Sequence, residues 1–146
     1  MMIMMDPTIQ RLLSGFNRNA PASVEAIREV ESMLKTPLPL EYVDFLLYAD
    51  GGEGSVGNSY LVLWPTKDLI TLNEAYGFQE FAPGLFAFGS DGGSEAFAFD
   101  MRSHPNRSVM VPFVGMALSE IILIGNNFMN FLERMHVGLG EHPGRA

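Results

Sequence analysis

The run PLEYVDFLLYADGGEGSVGNSYLVLW, residues 39–64, changes its period halfway along, and that change decides the fold class. In the first half Tyr42, Phe45, Leu46 and Ala49 recur at three- and four-residue spacing, which makes one face of a helix apolar. Pro39 suits the opening of that helix, and Gly51 and Gly52 suit a left-handed end. In the second half, Tyr60-Leu61-Val62-Leu63-Trp64 is a continuous β-branched and aromatic run, which predicts a strand buried on both faces. The glycine-rich stretch 51–57 between them reads as a loop.

Upstream the pattern is helical. Asp6 is a good N-cap, Pro7 fits the first helical position, and Ile9, Leu12, Leu13 and Phe16 form a stripe, so a helix is predicted over 6–16. Polar, proline-containing 17–22 reads as a linker. Ser23 caps a second helix that buries Val24, Ile27, Val30 and Leu34. Downstream of Trp64, Thr66 is the expected cap of a helix carrying Leu69, Leu72 and Tyr76. The rest is mainly extended. Leu85 to Phe88 and Glu95 to Phe99 flank Ser90-Asp91-Gly92-Gly93-Ser94 as a hairpin, with Phe86, Phe88, Phe97 and Phe99 on one face and alanines on the other. Val109 to Phe113 is a strand that Pro112 places near an edge or an end. Ile121 to Ile124 is another, and Asn126 or Asn127 caps a last helix with Phe128, Phe131, Leu132 and Met135 inward. The organisation expected is an N-terminal helical arm and linker over 1–22, an α+β domain over 23–137, and a flexible tail over 138–146. Helices gathered early and strands late make the class α+β.

Composition bounds the function. The chain has 146 residues, 47% of them hydrophobic, which suffices for one core without a disulfide or metal. It has no cysteine, which excludes a thiolate metal site and a cysteine nucleophile. Seventeen acidic residues against nine basic give a net charge of −8, so phosphate backbones and anionic membranes are repelled. Attraction to a basic protein is one use of that charge. Keeping a phenylalanine-rich protein soluble is the plainer one. No apolar run approaches the ~20 residues of a membrane span, and Met1-Met2-Ile3-Met4-Met5 lacks the pattern of a signal peptide, so a cytoplasmic location is expected. Those methionines could pack on a second subunit, which leaves a homo-oligomer open.

Each candidate for chemistry has a duller reading beside it. Gly52-Glu53-Gly54-Ser55-Val56-Gly57 spells the dinucleotide pattern, but the helix precedes it and the strand follows, so a phosphate would meet the negative end of the helix. No cofactor is expected there. Asp50, Glu53, Asp91, Glu95 and Asp100 cluster at glycine-rich turns. Their spacing fits no EF-hand, and aspartate beside glycine is ordinary turn chemistry. An acidic docking surface made of Asp50, Glu53, Asp91 and Glu95 is the functional reading. His104, His136 and His142 have no metal-ligand spacing, and the serines form no nucleophile elbow, so neither a metal site nor a catalytic residue is predicted.

Three segments resemble the SUKH superfamily, whose founding members are fungal regulators of cell-wall synthesis of the Smi/Knr type. Leu38-Pro39-Leu40-Glu41-Tyr42-Val43-Asp44-Phe45-Leu46 with Asp50-Gly51-Gly52 is similar to its Leu-Pro, Tyr, Phe-Leu and Asn-Gly-Gly pattern, with Asp50 where Asn is usual. Phe88-Gly89-Ser90-Asp91-Gly92-Gly93, ending in Ala98-Phe99-Asp100, resembles its central hairpin. Phe128-Met129-Asn130-Phe131-Leu132 resembles its closing helix, with Asn127 in place of the usual Ser cap. Trp64, Leu69, Asn73 and Tyr76 extend the likeness over about 23–135. The resemblance implies a mixed, mainly antiparallel sheet with helices packed against it. It also implies a non-enzymatic protein-binding role: in bacterial relatives an immunity protein that neutralises a toxin, often a nuclease, and elsewhere a regulatory or scaffold protein. It carries over no catalytic residues, and a small hydrolase would need a triad assembled across the fold.

Overall fold

The computed structural model describes residues 5–139; the Met1–Met4 run and most of the expected tail lie outside the described residues. In chain order the elements are α1 (Pro7–Leu12), β1 (Phe16–Arg18), α2 (Val24–Leu34), α3 (Leu40–Tyr48), β2 (Gly52–Val56), β3 (Ser59–Leu63), α4 (Thr66–Ala75), α5 (Phe78–Phe81), β4 (Leu85–Ser90), β5 (Glu95–Asp100), β6 (Arg107–Pro112), β7 (Ile122–Gly125) and α6 (Phe128–Val137). The seven strands form one sheet in sequence order, and each neighbouring pair is antiparallel. The fold is α+β, as the periodicity requires.

Register explains how the sheet divides its residues. Phe86 lies opposite Phe99, and Ala87 opposite Ala98, so rings and alanines take opposite faces. The ring face meets the helices. Phe97 packs edge-on to Phe131 of α6 at 5.1 Å, and Tyr42 of α3 sits 5.1 Å from Phe99 and 5.7 Å from Phe88. Phe45 and Phe128, 5.2 Å apart, join α3 to α6 over this layer. All of these rings are buried. The helix ends follow local chemistry. Ser23 Oγ accepts from Ala26 N–H, and Asn127 Oδ1 accepts from Asn130 N–H.

Several local expectations are corrected. Helix α1 stops at Leu12, and Phe16–Arg18 inside the expected helix and linker is a strand paired with β2. Ile9, Leu13 and Phe16 are buried in the same core as the main body. The stretch read as a loop is β2, sandwiched between β1 and β3. Its glycines are steric necessities: Gly52 has φ 144°, and a Cβ there would lie 2.3 Å from the Asn17 carbonyl oxygen. Strand β3 is buried on one face alone, because Tyr60 is exposed and Val62 half-buried on the other. Thr66 opens α4 without capping it; the cap comes from elsewhere, as described next.

Candidate functional site

Asp50 follows the end of α3, and both its carboxylate oxygens are engaged. Oδ1 accepts the Thr66 N–H at 2.7 Å and Oδ2 accepts the Thr66 hydroxyl at 3.1 Å. The carboxylate therefore supplies the cap that Pro65 cannot provide, beside the positive end of α4. Its backbone is held as well, with Asp50 N–H donating to the Ala20 carbonyl and Asn19 Nδ2 donating to the Asp50 carbonyl. This half-buried residue ties together the segment after β1, the end of α3 and the start of α4.

The other three predicted carboxylates gather elsewhere. Glu53 is exposed at the middle of β2, opposite Asn17 of β1 and Val62 of β3. Its side chain accepts a hydrogen bond from the Tyr60 hydroxyl, which raises the Tyr60 pKa above the ordinary phenol value. Val62 in turn pairs with Ser90, which begins the β4–β5 turn. At that turn Gly92 lies against the Tyr60 ring, close enough that a Cβ would stand 3.2 Å from Cδ2. Asp91 shapes the turn, its Oδ1 accepting from Gly93 N–H at 2.8 Å and Glu95 N–H at 3.2 Å. Asn17, Glu53, Ser55 and Tyr60 thus form an exposed, helix-free area of the sheet, and the half-buried Asp91 and Glu95 stand at its border. Of the segments contributing to it, 53–62 and 90–95 contain no Lys or Arg, while β1 carries Arg18, whose guanidinium lies over the Tyr48 ring. Sequence reasoning missed Tyr60, because a run of five apolar residues gives no sign of which alternate side chains face water.

Other groups are structural. The Arg102 guanidinium grips Asp100 through Nε at 2.9 Å and Nη2 at 3.0 Å, and holds its carboxyl below the usual aspartate range. Tyr42 is buried with no hydrogen-bond partner for its hydroxyl among the described residues, and burial pushes its pKa far upward. A groove of about 720 Å³ runs between α2, α4, α5 and β4, over Met33, Ile70, Phe78, Phe86 and Met101; no histidine lines it. Among the described residues, no group of three or more metal-ligating side chains comes together. No helix there is long and apolar enough to cross a membrane.

No curated protein matches this chain. A family model does: residues 21–134 match SMI1 / KNR4 (SUKH-1), a span that runs from the approach to α2 through most of α6 and takes in every segment described above except α1 and β1. The chain belongs to the SMI1 / KNR4 family (SUKH-1).

Proposed function

We propose that this protein is a non-enzymatic, cytoplasmic immunity protein that binds a cognate toxin directly, with the exposed face of β1–β3 as its docking surface. Family membership supports a role of the immunity or Smi1/Knr4 kind. The observation that carries the reading further is the grouping of Glu53, Tyr60, Asp91 and Glu95 on and beside a helix-free part of the sheet, where segments 53–62 and 90–95 contain no basic residue. Rigid carboxylates around a tyrosine suit the basic groove of a nuclease, where they take the place of phosphates. Asp50 belongs to this proposal as the fastening behind the surface, since its oxygens are engaged with Thr66. No cofactor or metal takes part.

The test is co-expression with the product of the neighbouring gene, followed by purification and binding measurements. The chain should rescue growth and co-purify with the toxin. The triple variant E53Q/D91N/E95Q removes charge yet keeps an amide Oδ1 at position 91 that can hold the turn. It should weaken binding by at least about tenfold, and added salt should weaken the wild-type complex. Unchanged affinity in the triple variant would reject this surface. Gene order separates the alternative, a regulatory or scaffold protein of the same family, because an immunity gene should lie beside one encoding a secreted toxin.

A further inference from the structure

Among the described residues, strand β7 ends the sheet and pairs with β6 on one side only. A strand edge presents backbone N–H and C=O groups that another strand can satisfy, and proteins usually blunt such edges with charge or proline. The opposite edge is blunted: β1 is three residues long and carries Arg18, whose guanidinium lies over the Tyr48 ring. β7 is also short, at four residues, and its pairing with β6 is irregular at Ser108/Val109, but it carries no charge and no proline. Between Arg107 and Glu133 the sole charged residue is Glu120, although the whole chain carries a net charge of −8. Leu123 at the centre of β7 is 50% exposed, Ile121 and Ile122 are half-buried, and Val114 on the loop leading to β7 is 91% exposed.

We propose that the β7 edge pairs with the β7 edge of a second copy of this chain, continuing the antiparallel sheet across a twofold axis. Two features argue for a copy as the occupant. A twofold axis perpendicular to the sheet brings an edge strand against itself in the antiparallel sense, with the two Leu123 side chains on the same face. Charge gives the second reason. Copies of net charge −8 repel each other over most of their surface, and the end of the sheet around β6 and β7 is where they can approach with fewest like charges facing. A basic partner is drawn instead to the carboxylates around Tyr60, so the two surfaces need not compete. Four residues of edge bury less than the ~800 Å² per partner of a standard interface, so the dimer is weak.

Sedimentation equilibrium of the full chain across a concentration series tests this. The expected result is a monomer–dimer equilibrium that shifts toward dimer with added salt, because salt screens the repulsion, which is the opposite of its effect on toxin binding. L123K should remain monomeric at the highest concentration. Since the chain has no native cysteine, L123C gives an independent readout that survives any folding defect in L123K: oxidation should cross-link it, while Y60C should stay monomeric. A wild-type chain that is monomeric throughout, an equilibrium unaffected by L123K, or cross-linking through Y60C in place of L123C would overturn the proposal. None of these outcomes bears on the toxin-binding surface, so the two ideas fail separately.

Discussion

Asp50 accepts two hydrogen bonds from Thr66, sixteen positions along the chain, while its own backbone is tied to the segment after β1. A carboxylate in this position acts as an N-cap supplied from outside the helix, and losing such a cap costs about 1–2 kcal/mol. D50A should therefore lower the unfolding free energy by that amount, seen as a lower urea midpoint with the slope of the transition unchanged. E53A is the contrasting case. Glu53 is exposed and its side chain bonds the equally exposed Tyr60, so its removal should change stability by less than about 0.5 kcal/mol. A D50A midpoint equal to wild type would mean that α4 does not depend on this cap. The distinction matters for reading binding experiments, since a loss of affinity in D50A would reflect a loosened frame and in E53A a lost contact.

At the scale of elements, β3 and β4 pair at two positions, Val62 with Ser90 and Leu63 with Gly89, one further bond runs from the Trp64 N–H to the Phe88 carbonyl, and α4 takes over where they part. Asn73 on α4 replaces the missing strand: its Nδ2 donates to the Ala87 carbonyl at 2.9 Å, and its Oδ1 accepts the Ala87 N–H at 2.8 Å. Removing it would leave both backbone groups of a buried residue unsatisfied. N73A should destabilise the protein by about 2–4 kcal/mol, read from chemical unfolding, and N73D should not rescue it because a carboxylate cannot donate to the Ala87 carbonyl. A cost under about 0.5 kcal/mol would show that the helix docks without this bond. Such long-range fastenings mark the limit of what the sequence discloses. The caps Ser23 and Asn127 were legible because each acts within three residues of itself. The strand character of β2 was not, because glycines carry no strand preference, and what makes 52–56 extended is the close approach of Asn17 and the pairing to β3.

Across the whole molecule, the separation of phenylalanine and alanine faces followed from alternation alone, and the α+β class from the order of helical and extended periods along the chain. The candidate surface was only half legible. Turn chemistry picked out Glu53, Asp91 and Glu95 along the chain, but their grouping around Tyr60 depends on register through β2, β3 and the β4–β5 turn. Charge acts at this same scale. Seventeen acidic residues against nine basic ones mean that repulsive pairs outweigh attractive ones when averaged over the surface. The folded chain holds those charges closer together than the unfolded chain does, so the compact state bears more of the repulsion. Close pairs such as Asp100–Arg102, with the aspartate largely buried, are screened little by salt, whereas the scattered surface carboxylates are screened over a Debye length of about 10 Å at 0.1 M. Raising NaCl from about 20 to 300 mM should therefore raise the melting temperature, by a few degrees for a gain of about 1 kcal/mol in a chain this size. The scan belongs at low protein concentration, below the range of β7 pairing, so that dimer formation does not add its own stabilisation. A melting temperature that falls with salt would mean that attractive surface pairs dominate despite the net charge, and would remove the electrostatic reason for assigning the uncharged edge to a second copy.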